Sequence, residues 1–269
     1  MSHGKLVTGL GGTVAGSITQ IGANISMPAG NDWLIHKIWG LGAMDTAVAS
    51  EALAGHMIID SVGGDINPDP APGKYPLICN ASQASASYGL VKTPLNIYDV
   101  GWVASGKAEL ALKFVNDAGN ATAPLIALGI IFGINRPETK PIIFSDNVSA
   151  TLTANTEATI GQIQVSERAS KITGICAIAT KDGAITADEG MLATIRLDSA
   201  DVQVQPAQFP CGNAFTACDG TPAGGSALAQ PMFIPVDIDV PKGAKIDCFG
   251  TLVNAVTAGV DVQVFLAYE

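Results

Sequence analysis

The sequence predicts an all-β protein: two tandem jelly-roll-like antiparallel β-sandwiches packed side by side. Three observations predict it. Short apolar or alternating runs, broken by Gly, Pro, Asn and Asp, recur along all 269 residues with almost no helical periodicity. The order of those runs repeats once. Charged residues make up only 14% against 48% hydrophobic ones, so much of the surface must be neutral, as suits a subunit covered by copies of itself.

In the first half the strand-like runs fall at 18–27, 34–44, 53–61, 75–80, 93–103, 108–115 and 123–134. Residues 45–53, with their alanines, read as a short helical turn. Gly9-Leu10-Gly11-Gly12 lacks the downstream Gly and the Lys-Ser/Thr pair of a phosphate loop, and reads as a flexible leading segment. The run at 123–134 contains Pro124 and is too short for a membrane span, which makes it a buried strand. In the second half the runs fall at 158–165, 172–180, 191–199, 208–212, 232–240, 244–253 and 260–268.

The two sets align. Ile35-His36-Lys37-Ile38 falls over Ile172-Thr173-Gly174-Ile175 at an offset of 137, which carries Asp45 onto Asp182. With one further gap, Ile59-Asp60-Ser61 falls on Leu197-Asp198-Ser199; downstream, Tyr75-Pro76 matches Phe209-Pro210 and Gly106 matches Gly243. A common order of strand, polar turn, Asp-Ser end and aromatic-Pro step points to an internal duplication. The polar, Pro-rich segment around Pro137 divides the chain into a first sandwich, 1–136, and a second, 137–269, joined too tightly to tumble independently. Seven or eight strands per half suit a jelly roll or an immunoglobulin sandwich. The immunoglobulin Cys…Trp…Cys spacing is absent, since Trp33, Trp39 and Trp102 all lie in the first half.

Composition also excludes partners. A net charge of −10 with no cluster of Lys or Arg gives no footprint for nucleic acid or for an anionic membrane surface. The residues before Leu6 do not read as a signal peptide. Cys79, Cys176, Cys211, Cys218 and Cys248 read as buried thiols of a reducing compartment, with a Cys211–Cys218 disulfide as the alternative.

Catalytic signals are weak. His3, His36 and His56 are the only histidines, too few for a metal-holding jelly-roll enzyme, and no serine sits in a Gly-x-Ser-x-Gly elbow. No cofactor is expected. Asp65, Asn67 and Asp69 place oxygens at alternate positions as a calcium loop opens, but the Gly and the closing Glu are missing; the turn reads first as solvated, second as a calcium site. Asp237 and Asp239 alternate with apolar residues and line the polar face of a strand. Asn24, Asn80, Asn120 and Asn147 open N-glycosylation triplets, which read as chance occurrences.

The openings Ile21-Gly22-Ala23-Asn24-Ile25-Ser26-Met27-Pro28-Ala29-Gly30 and Ile163-Gln164-Val165-Ser166-Glu167-Arg168 each precede a long apolar strand, a turn and a strand ending in Asp-Ser. In this the chain resembles the compact double jelly-roll major capsid proteins of icosahedral viruses, of membrane-containing phages and archaeal viruses in particular. The resemblance implies a homotrimer of pseudo-sixfold outline, neighbouring capsid subunits as partners, and minor capsid or membrane proteins beneath the shell. It also implies a place in the virion after assembly in the host cytoplasm. Only 81–93 and 213–230 are long enough to decorate a surface. Two other classes stay open. One is a surface-layer, tube or filament subunit outside a prokaryotic cell; the other is a carbohydrate-binding module using Trp33, Trp39, Trp102, Tyr75, Tyr88 or Tyr98 as an aromatic platform.

Overall fold

In a computed structural model, the residues described are 6–13, 18–44, 51–63, 66–67, 73–82, 95–116, 124–134, 143–152, 156–181, 193–202, 208–210, 212–213, 233–252 and 260–269. Strands and the turns between them account for all of these.

Residues before 135 form β1 (Leu6–Thr13), β2 (Ile18–Gln20), β3 (Ile25–Ser26), β4 (Trp33–Met44), β5 (Glu51–Val62), β6 (Ile66–Asn67), β7 (Lys74–Ser82), β8 (Asn96–Ala104), β9 (Glu109–Asn116) and β10 (Pro124–Ile134). One sheet runs β1-β10-β4-β8-β6 and the other β2-β9-β5-β7, with β3 also on β9. Residues after 142 form β11 (Phe144–Leu152), β12 (Ala158–Gln164), β13 (Lys171–Lys181), β14 (Ala193–Asp198), β15 (Gln208–Pro210), β16 (Gly212–Asn213), β17 (Ile234–Asp239), β18 (Lys245–Leu252) and β19 (Val260–Tyr268). Here β11-β19-β13 is flanked by β16 and β17, and the facing sheet runs β12-β18-β14-β15. Omitting the two-residue strands β3, β6 and β16, both halves show one order: first, eighth, third, sixth in one sheet and second, seventh, fourth, fifth in the other. That is the jelly-roll order.

Alternation explains the packing. Inward positions of each sheet are apolar and meet in a core of their own. One core gathers Ile35, Ile38, Met57, Leu77, Val100, Trp102, Leu112, Phe114 and Leu128; the other gathers Ile172, Ile175, Ile195, Leu197, Ile246, Val262, Val264 and Leu266.

Strand pairing puts the aligned residues at equivalent points. The extra residue of a bulge is His36 in β4 and Thr173 in β13, at the offset of 137. Tyr75 lies opposite Met57 and Pro76 opposite His56; Phe209 lies opposite Ile195 and Pro210 opposite Thr194. Gly106 and Gly243 are one place out of step. The turn closed by Ala108 N–H on Ser105 O matches the turn closed by Ala244 N–H on Pro241 O, so Lys107 (φ 71°) stands where Gly243 (φ 70°) stands.

Other expectations need correction. The glycine run at 9–12 is strand β1, unbroken in register against β10. Of its glycines Gly9 is required, because the Trp39 indole lies over Gly9 and over Gly129 of β10, where a Cβ would collide with the ring. Residues 51–53 are strand β5 and not the end of a helical turn; 45–50 lie outside the described residues. The run at 18–27 is interrupted at Gly22, whose φ of +70° favours glycine, and gives β2 and β3. Strand β11 had no counterpart in the sequence reading.

Candidate functional site

Among the described residues no group of three or more His, Cys, Asp or Glu gathers. Asp65 and Asp69 lie outside the described residues, and Asn67 sits in β6 opposite Val103. Cys211 and Cys218 also lie outside them. Cys176 and Cys248 are buried thiols, and burial, with Asp247 beside it, pushes the Cys248 thiol up to about 12. An aromatic platform is not available from Trp33, Trp102, Tyr75 or Tyr98, all of which are buried; Tyr88 lies outside the described residues.

The chemistry concentrates at the seam between the halves. Ile143 is the first described residue of the second half, and its peptide is held by the first: its N–H donates to Val100 O at 3.1 Å, while its carbonyl accepts from Tyr75 Oη at 2.8 Å and Trp102 Nε1 at 3.2 Å. Tyr75 comes from one sheet and Trp102 from the other, so one carbonyl ties both sheets to the second half. Burial raises the Tyr75 and Tyr98 phenols well above their usual value, keeping them neutral donors, and Tyr98 Oη donates to Pro76 O at 2.7 Å.

Further along, Lys74 Nζ pairs with Asp146 Oδ1 at 2.8 Å, and Gly73 bridges to Ser145. His56 Nδ1 meets Asn147 Nδ2 at 3.3 Å, and the His56 ring stands edge-on to Phe265 with centroids 6.4 Å apart. Asn147 is therefore buried in the seam, where a glycan would not fit. Phe265, Cys176 and Ile178 point out of the second core and form a small apolar cluster of their own with Phe233. Phe233 in turn packs edge-on against Tyr98, with centroids 5.8 Å apart. A cleft of about 600 Å³, floored by Tyr75, Tyr98 and Phe233, opens beside this cluster.

The seam thus joins unlike surfaces. From the second half comes the outer face of the β11-β19-β13 sheet; from the first comes the flank formed by β5, β7 and β8. Sequence reasoning missed this site because Cys176, Ile178 and Phe265 occupy outward-facing positions of the second half, and their cover comes from residues distant in the chain.

No protein-family model matches the chain, and no curated protein matches it. Solved structures similar to it include the STIV MCP, at 10% identity over 97% of this chain and 96% of that one, with a TM-score of 0.44. The major capsid protein P2 from Bacteriophage PM2 is similar at 10% identity over 98% of each chain, TM-score 0.39. PNGF-II is similar at 11% identity over 94% of this chain and 60% of that one, TM-score 0.43.

Proposed function

We propose that this chain is a non-catalytic, self-assembling shell subunit, specifically a major capsid protein of an icosahedral virus, built from two copies of one sandwich plan divided near residue 136. The observation that carries the reading is the unlike character of the seam. A contact between two different surfaces, repeated on equivalent halves, leaves one of each surface uncovered on every chain. Such a chain associates head to tail, and a head-to-tail contact closes into a ring when its rotation permits. Three copies would set six sandwiches around one axis, the pseudo-sixfold outline that the family resemblance implies.

Two further features support it. Strand β1 is a sheet edge paired only with β10 among the described residues, and it carries no charge, proline or bulge to discourage pairing. The low charge of the whole chain leaves a neutral surface suited to burial against copies. The partners are then copies of this chain, with minor capsid or membrane proteins beneath the shell and no direct contact with the genome. The place of action is the virion. The turn at Asp65, Asn67 and Asp69 stays a calcium candidate.

Sedimentation velocity at micromolar concentration tests this. Trimers or larger closed species are expected. A monomer across the concentration range overturns the assembly reading.

A further inference from the structure

The outer face of the β1-β10-β4-β8 sheet is the first half's equivalent of the face that the seam buries in the second. Register fixes the correspondence. Cys176 lies opposite Phe265 in the second half, and Trp39 lies opposite Gly129 at the same point of the first. The large ring has moved to the neighbouring strand: where Phe265 fills the space beside Cys176, Trp39 fills the space above Gly129 and Gly9.

The burial differs. Cys176, Ile178, Phe265 and Gln263 are each 2% exposed or less because the first half covers them. Trp39, Leu41, Ala127 and Ile131 are half-buried, less covered than their counterparts. Beside them Leu95 and Ile97 are 46% and 37% exposed, two of the three exposed large hydrophobics among the described residues. An apolar patch of this kind on an otherwise polar-rimmed sheet marks a binding surface.

The flank that would cover it is also identifiable. Within the chain, Lys74 and His56 meet Asp146 and Asn147. Strand pairing puts Gln208 and Thr194 at the positions of Lys74 and His56, and Thr8 and Gly9 at the positions of Asp146 and Asn147. Both members of the ion pair are replaced by neutral residues together. Both members of the His–Asn contact become small, which leaves room for the indole. Paired replacements of this sort match one surface to the other.

We propose that the Trp39 face of one copy packs on the β14–β15 flank of a second copy, repeating between chains the contact that joins the halves within one. The inference rests on the self-assembly reading above and names the surfaces that carry it. Trp39 is its central anchor, an aromatic residue covering a glycine floor, and Thr194 stands at the centre of the opposing flank.

The test uses the unlike character of the contact. Trp39→Glu spoils the face and leaves the flank; Thr194→Glu spoils the flank and leaves the face. Each alone should sediment as a monomer with unaltered circular dichroism, and an equimolar mixture should form dimers and nothing larger, because one intact contact remains. Acrylamide quenching of wild-type fluorescence supplies a readout without mutation. Trp33 and Trp102 are buried at 8% and 0% exposure, so a several-fold rise in quenching on dissociation into monomers reports Trp39. Wild-type protein that assembles while either variant still assembles, or while Trp39 stays open to quencher in the assembled state, overturns this contact and leaves the shell reading standing. A monomeric wild type overturns both.

Discussion

The phenol of Tyr75 donates to the carbonyl of Ile143 across 2.8 Å, from the middle of the first half to the start of the described part of the second. Both are held away from water, Tyr75 at 1% exposure, so the bond is made where an orphaned carbonyl would be costly. Trp102 Nε1 supplies a second donor to the same oxygen.

Tyr75→Phe should therefore lower stability by about 1 kcal/mol, the net value of one hydrogen bond, since Trp102 keeps the carbonyl from being left unmatched. Urea unfolding followed by tyrosine and tryptophan fluorescence checks this. Trp102→Phe combined with Tyr75→Phe should cost more than the two single changes added together, because only the double variant orphans Ile143 O.

Lys107 adopts the left-handed backbone that Gly243 adopts in the equivalent turn. A non-glycine residue there costs roughly 1 kcal/mol or more. Lys107→Gly should thus raise the urea midpoint, and Gly243→Lys should lower it by a similar amount. Opposite signs at two positions in one equivalent turn would be hard to obtain if the halves were not laid out alike.

The glycine floor under Trp39 should tolerate no side chain. A Cβ on Gly129 would strike the Trp39 ring and the Thr8 carbonyl, so Gly129→Ala should cost about 1–3 kcal/mol by overpacking. At Gly11 the nearest atom to an added Cβ is Ile126 O at 3.8 Å, so Gly11→Ala should be close to neutral. Thermal unfolding of the two variants side by side measures the contrast.

Glu157 accepts from Arg196 Nε at 3.0 Å and from Arg196 Nη2 at 2.8 Å, and the guanidinium also stacks on Phe249. The pairing holds the Glu157 carboxyl below its usual 4.5. A lowered folded-state pKa stabilises in full above the unfolded value and is lost as pH falls through the folded value. The stability difference between wild type and Glu157→Gln should accordingly be largest near pH 7, begin to shrink around 4.5, and vanish at lower pH. Urea midpoints between pH 7 and 3 measure it.

Cys248 has a thiol pKa of about 12 and Cys176 is 2% exposed. At pH 8 about one Cys248 in ten thousand is thiolate. Neither should react with a maleimide in the folded protein, and both should react in guanidinium. Mass spectrometry of labelled peptides distinguishes these sites from the other three cysteines.

Much of this architecture was legible in the sequence because it rests on alternation. The strand positions, the two-fold repeat and the Tyr75-Pro76 match to Phe209-Pro210 all follow from inward residues that each half must bury. What escaped was set by residues distant in the chain. Strand β1 looks like a flexible glycine run until Trp39, far downstream, is seen lying across it. Strand β11 carries the polar residues Ser145, Asp146 and Asn147, which give no apolar run to mark a strand; in the fold they face Gly73, Lys74 and His56. The Gly106 match to Gly243 is off by one because Lys107 takes a conformation that sequence alone assigns to glycine. The seam was invisible for the same reason, since outward positions are informative only when the covering surface is known.

Electron cryomicroscopy of the assembled protein tests the central claim most directly. The account predicts closed rings of sandwiches in which the contact between copies superposes on the seam around Ile143 and Phe265, with Trp39 buried at the equivalent place. Monomers, or copies joined through any surface other than the Trp39 face and the β14–β15 flank, would contradict it.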